Sequence, residues 1–157
     1  MTIYYKLTNQ EGQTHGNTQW GEGVTHEATG SQQSLCTDGV IHAYRHPLLA
    51  AFANPIHANI GNPILWECES DDDDPLDDSL KVGLRRLTTL RQIPLPAIST
   101  AARVRVAILC AKQLRQGTAW TRWADRWLAG IDKGRAAAEA GAWAAAEAAE
   151  AAAAWAA

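Results

Sequence analysis

The chain has 157 residues, which is the length of one domain or of one small domain with an appendage. Its apolar share of 46% comes largely from alanine, so burial depends on Leu, Ile, Val and seven tryptophans. With 14 basic and 17 acidic residues, the formal net charge of -3 gives no electrostatic footprint for duplex nucleic acid and argues against direct duplex binding.

Targeting and redox signals favour a cytoplasmic protein. The N-terminal sequence MTIYYKLTNQ lacks a charged start followed by an apolar core, so no signal peptide is predicted. No apolar run approaches the roughly 20 residues that span a bilayer, and we expect no membrane contact. Cys36, Cys68 and Cys110 are odd in number and widely spaced, which favours reduced thiols over a disulfide framework.

The N-terminus has the pattern of a β-strand. Apolar and more polar positions alternate along Ile3–Thr8, which is the period of a strand with one buried face. Ile3, Tyr5 and Leu7 are expected on that face.

The central stretch Leu35–Trp66 predicts strand, turn, strand, short helix and strand. Thr37–Gly39 is a turn signal between two apolar runs. Pro47 suits the first position of a helix, Asn54–Pro55 is expected to end that helix, and Ile64–Glu67 is typical of a buried strand. Because the stretch holds three of the five histidines and one of the three cysteines, any chemistry is expected there.

A run of aspartates follows at Asp71–Asp78, DDDDPLDD. Like charges at this density repel each other and predict a solvated loop. The alternative is a site for a hard divalent cation, although the run lacks the central Gly and the bidentate Glu of a calcium loop. As an acidic surface it would suit a basic partner, and the residues proposed for that contact are Asp71, Asp72, Asp73 and Asp74.

The last strands are predicted at Leu80–Gly83 and Leu87–Leu95, after which Pro94 and Pro96 end the sheet. From Ser99 the apolar period becomes helical up to Gln116, with Ser99 or Thr100 as the N-cap. The predicted fold is therefore α+β: a mostly antiparallel sheet over residues 1–96, packed by C-terminal helices. A fragment that lacks the covering helix is expected not to fold alone.

Trp120, Trp123 and Trp127 form an aromatic stripe on a second helix that ends near Gly130. The stripe indicates either core packing or an exposed surface for a partner.

Residues 131–157 are alanine-rich and predict a helical tail, appended to an α+β domain over residues 1–130. Alanine buries little area, so the tail is interpreted as an appendage that binds a partner or a second copy of the chain. Trp143 and Trp155 are the proposed anchors of that contact.

Cys36, His42 and His46 give the spacing C-x5-H-x3-H, and His57 or Cys68 could add a fourth zinc ligand. No paired C-x2-C half is present, so we expect no zinc and no other cofactor. The alternative is a buried Cys36 with polar histidines near the surface. A nucleophile formed by Cys36 or Cys68 with His42 lacks any flanking signal of activation.

Several segments in succession resemble an uncharacterised family of small phage and prophage proteins. Its members share a C-x2-G-[FI]-H-A turn, a following helix and a tail rich in Ala, Trp and Glu. The resemblance spans roughly residues 1–96 and implies a phage or mobile-element setting without an established activity. The segments that carry it are YYKLT, THGNTQWGEG, LCTDGVIHAY, HPLLA, LWECE and LKVG.

A fainter similarity is to the ADP-ribosyltransferase superfamily, which places an aromatic or His strand, a strand feeding a helix and a late Glu around NAD. It implies a catalytic cleft, and Lys6 is the basic residue available on the first strand. The matching positions are Tyr4, His42 or Tyr44, and Glu67 or Glu69.

These observations lead to three hypotheses. The first is a phage-associated accessory protein that binds a host or phage macromolecule, with counter-defence as one such role, in the host cytoplasm. The second is an NAD-using enzyme of the ADP-ribosyltransferase type or a degenerate relative. The third is a minor structural component of the virion. The first is preferred because no complete catalytic set is present.

Overall fold

The computed structural model describes residues 1–32, 34–114, 116–131 and 134. Helices and antiparallel sheets are both present in this part of the chain, which confirms the α+β class. Two compact units are formed, Met1–Ala97 and Ile98–Ala157. The division thus falls after Ala97, whereas the sequence predicts a domain boundary after residue 130.

The described strands all belong to the first unit and pair antiparallel. They are β1 Thr2–Thr8, β2 Thr25–Glu27, β3 Ile41–Ala43, β4 Ile64–Ser70, β5 Leu76–Asp77, β6 Val82–Leu84 and β7 Arg86–Ile93. One sheet has the order β1-β4-β7-β2 and the other β3-β6-β5. A bridge joins the two sheets, because the backbones of Tyr5 and Tyr44 exchange two hydrogen bonds of 2.8 Å.

The prediction that β1 has one buried face is wrong, because residues on both faces are buried in the second half of the strand. Tyr4, Lys6 and Thr8 are 1%, 7% and 0% exposed, whereas Ile3 on the opposite face is 44% exposed. Polar atoms on the buried face have partners, for Trp66 Nε1 donates a hydrogen bond of 3.0 Å to Thr8 Oγ1. Leu7 on the predicted face is 4% exposed, so the apolar pattern identified one covered face and missed the other.

The first unit contains two core clusters made of its own residues. The cluster on the Tyr4 side also includes Trp20, Trp66 and Leu87. The other includes Leu7, Tyr44, Ala50, Ala53 and Leu65.

Helix α1, Pro47–His57, begins where the sequence predicts, with Pro47 at its first position. The His46 ring caps it, since Nδ1 accepts the Leu48 N–H at 3.2 Å. The predicted end at Asn54–Pro55 is wrong, because the helix continues to His57. Pro55 removes one helical hydrogen bond, but the turn is maintained beyond it because the Asn54 carbonyl accepts the Ala58 N–H at 3.0 Å.

The second unit contains α2, Thr100–Ala111, and α3, Thr118–Leu128. Ser99 Oγ accepts the Ala102 N–H at 3.2 Å, which confirms the predicted N-cap. Helix α2 ends before the predicted Gln116. Ile108 from α2 is buried with Ala124 and Trp127 from α3, and the other two tryptophans of the stripe pack on this cluster. The predicted tail helix, with Trp143 and Trp155, lies outside the described residues. None of the helices that the structure describes is long and apolar enough to cross a membrane.

Candidate functional site

A cavity of about 980 Å³ opens in the first unit, which we call the Lys6 cavity. Its volume lies at the upper end of the range of small-molecule sites, about 300–1,000 Å³. Strand β1, the loop that precedes β2, the turn before β3 and the end of α1 contribute to the wall. The residues on the wall that could bind or react with a ligand are Lys6, Trp20, Cys36, His42, Tyr44 and Lys81.

Lys6 is the least expected of these groups, because lysine is almost never fully buried unless it is paired. Its Nζ donates a hydrogen bond of 2.9 Å to the His42 carbonyl oxygen and lies 4.6 Å from the centroid of the Trp20 ring. Within the described part of the chain, no carboxylate forms an ion pair with it.

Burial lowers the pKa of Lys6 from 10.5 to about 8, and the nearby Cys68 thiol acts weakly in the opposite direction. A buried amine is disfavoured in its charged form because it has lost hydration. A buried amine on a cavity wall is therefore a candidate for a functional site.

Cys36, His42 and Lys81 form a second cluster on the wall. The Cys36 N–H donates a hydrogen bond of 3.0 Å to His42 Nε2, and Lys81 Nζ donates one of 2.8 Å to Cys36 Sγ. Burial, followed by the charges of Lys81 and Lys6, lowers the pKa of His42 to about 4, although Asp78 opposes this. His42 is therefore neutral at pH 7 and accepts through Nε2, which places its proton on Nδ1.

Two features of the chain hold the cavity wall in place. Gly39 closes the turn after Cys36, and a Cβ there would lie 1.9 Å from the Ser31 oxygen, so only glycine fits. The Arg85 guanidinium donates hydrogen bonds to the carbonyls of Gly39 at 2.8 Å and Ala28 at 3.2 Å, and also to that of Gly30. Arg85 thus ties the turn before β3 to the segment after β2.

Aromatic rings form another part of the wall. Tyr44 and His57 are stacked with centroids 6.1 Å apart, and Trp20 meets His26 edge-on at 4.5 Å. Burial raises the pKa of Tyr44 and lowers that of His57. Trp20 and Tyr44 are only 3% and 6% exposed, so these rings form a packed part of the wall.

The residues proposed for an ADP-ribosyltransferase cleft do not converge. Tyr4 pairs with Cys68 across the sheet, whereas Glu67 pairs with Tyr5 and Glu69 with Ile3. Because side chains alternate along a strand, both glutamates lie on the face opposite Tyr4. Glu67 also binds Arg91, with oxygens 2.9 and 3.3 Å from the guanidinium.

The proposed zinc ligands are only partly brought together. Cys36 and His42 are in contact, but the His46 ring is used as the cap of α1. In the ranges that the structure describes, no group of three His, Cys, Asp or Glu side chains could hold a metal ion. Cys36 is exposed, so its interpretation as a buried hydrophobe is wrong; Cys68 is buried, which raises its thiol pKa to about 12.

Most aspartates of the acidic run are exposed, as expected for a solvated loop, and three of them also make contacts within the chain. Asp72 accepts the Arg85 N–H at 2.6 Å, and Asp77 binds Arg45 Nε at the same distance. Asp78 caps the turn before β6 by accepting the Lys81 N–H at 2.7 Å. The prediction of a loop throughout is wrong at Leu76–Asp77, which forms β5, because these internal contacts offset the repulsion between carboxylates.

Asp71 lies 3.6 Å from Arg86, while Asp73 and Asp74 are exposed. Sequence reasoning named Lys6 only as the basic residue of an ADP-ribosyltransferase cleft and did not predict its burial, and it missed Arg85 as the residue that positions the wall. The only available signal for Lys6 was a lysine inside a strand, between Tyr4 and Thr8.

Comparisons with protein-family models, curated proteins and solved structures found no match for this chain. The turn at Cys36–Ala43 also departs by one residue from the phage-family pattern, since Val40 stands between Gly39 and Ile41.

Proposed function

We propose that this chain is a binding protein whose Lys6 cavity holds a small anionic molecule. The observation that carries the proposal is a buried amine on a cavity wall without a carboxylate partner among the described residues. An anion beside Lys6 would compensate for the hydration that the amine loses on burial, and it would favour the charged form of the amine. Lys81 adds a second cation on the same wall.

The proposal is tested by calorimetry with inorganic phosphate, a tricarboxylate and a nucleoside monophosphate, each against an uncharged analogue. At least one anion should bind the wild type, and Lys6→Met should weaken that binding tenfold or more. Lys112→Met is the matched control, because Lys112 lies in the second unit and pairs with Asp125. The proposal is wrong if no anion binds, or if both substitutions have the same effect.

The phage-associated role is a second candidate, in which the chain binds a basic host or phage macromolecule. It is favoured by the exposed side chains of Asp73 and Asp74, which receive no hydrogen bond from the described residues. Pull-down from host lysate should recover a partner with the wild type, and the D73N/D74N double substitution should abolish recovery. Equal recovery by the wild type and the double substitution would refute the proposal that this surface binds the partner.

A further inference from the structure

We infer that the Lys6 amine forms an imine with its ligand, so that the molecule in the Lys6 cavity is an anion bearing an aldehyde or ketone. This inference rests on the proposed function and names the ligand class of the same site. The surroundings of one nitrogen atom carry it.

The contacts of Lys6 Nζ fix the position of the amine but do not neutralise its charge. One N–H is used by the His42 carbonyl at 2.9 Å, and the Trp20 ring covers another side at 4.6 Å. Because no described carboxylate pairs with Nζ, loss of its positive charge would break no ion pair. Lys6 lines the cavity, and an amine held in place by such contacts is a suitable nucleophile for a carbonyl carbon that reaches it.

Burial also supplies the uncharged amine that must attack, although the anionic group of the ligand lowers that fraction by favouring the charged form. With a pKa of about 8, roughly a quarter of the Lys6 amine is uncharged at pH 7.5, against about 0.1% for an ordinary lysine. Lysines that form imines are activated in this way.

The step balances without an oxidant or reductant. The nitrogen lone pair attacks the carbonyl carbon and a C–N bond forms. The two hydrogens of the amine then leave with the carbonyl oxygen as one water molecule, which produces the C=N bond.

The other described lysines provide internal comparisons. Lys81 donates to Cys36 Sγ, and Lys112 pairs with the Asp125 carboxylate. Neither has the buried setting of Lys6, so an aldehyde should select Lys6 over both.

The probe for the test is pyridoxal 5′-phosphate, an anion that carries an aldehyde. Pyridoxine 5′-phosphate, in which an alcohol replaces the aldehyde, is the matched control ligand. After borohydride reduction and digestion, mass mapping of the wild-type chain should place the adduct on Lys6 at least tenfold above every other lysine. Glyoxylate, an aldehyde, and glycolate, the corresponding alcohol, form a second and smaller pair. They show whether the result depends on the size of the ligand.

Lys6→Arg keeps a cation but cannot form an imine, so it should abolish the adduct. Mapping of the wild type decides the question even where this variant does not fold. Adducts spread evenly over the lysines, or absent from Lys6 with both aldehydes, would overturn the inference. If the phosphates or small acids still bind by calorimetry in that case, anion binding stands and only the imine fails; if none binds, both proposals fail.

Discussion

Replacing Lys6 by Met should increase stability at neutral pH, although it removes a hydrogen bond from the core. The pKa of Lys6 falls from 10.5 in the unfolded chain to about 8 in the folded one. At pH 7 this difference lowers the free energy of unfolding by about 3 kcal/mol. Losing the bond to the His42 carbonyl costs about 1 kcal/mol, so Lys6→Met should be more stable by about 2 kcal/mol.

The advantage of Lys6→Met should disappear at higher pH. Between pH 8 and pH 10.5 the unfolded chain binds a proton at Lys6 that the folded chain has lost, so the wild type gains stability as the pH rises. At pH 9.5 the penalty has fallen by about 2 kcal/mol, which brings the two proteins close to equal stability.

Urea denaturation at pH 7 and pH 9.5 measures both differences. Leu7→Ala, on the same strand, is the control: it should cost about 2–5 kcal/mol at either pH, because it removes buried carbon and no titrating group. The reasoning is refuted if Lys6→Met is less stable than the wild type at pH 7, or if its difference from the wild type is the same at both pH values.

Three further predictions concern the first unit. A fragment of residues 1–97 should melt cooperatively by itself, because both core clusters consist of its own residues. This replaces the expectation from the sequence that a fragment without the covering helix does not fold, and a non-cooperative melt by circular dichroism would contradict it. Cys36 should react with iodoacetamide about 100-fold or more faster than Cys68, whose buried thiol has a pKa of about 12; equal labelling by mass spectrometry would refute the placement of either thiol. Because the pKa of His42 is lowered to about 4, NMR of its ring nitrogens should show a neutral imidazole with the proton on Nδ1 at pH 5.5, and an imidazolium signal would be inconsistent with the Cys36 contact.

Local signals in the sequence were sufficient for the class of fold and for several boundaries. Pro47 and Ser99 mark helix starts through backbone chemistry that needs no distant partner, and both are confirmed. The strand predicted at Ile64–Glu67 is likewise present, and it continues to Ser70.

The candidate site could not be predicted in this way, because it depends on contacts between distant positions. Lys6 becomes a buried amine only because Trp20 and the turn that leads to His42 cover it. The alternation along β1 defines two faces but does not show that both are covered, and distant partners of Lys6 and Thr8 allow the more polar face to be buried. The strand Leu76–Asp77 similarly depends on internal contacts that a count of aspartates does not show.

The central claim is that Lys6 is a buried amine prepared to receive an anion. An NMR titration of its ε-amine in isotope-labelled protein, without and with the tightest-binding anion of the calorimetric panel, tests this most directly. The account predicts a pKa near 8 that rises when the anion binds, because a negative charge favours the protonated amine. A pKa near 10.5 that no anion changes would contradict it.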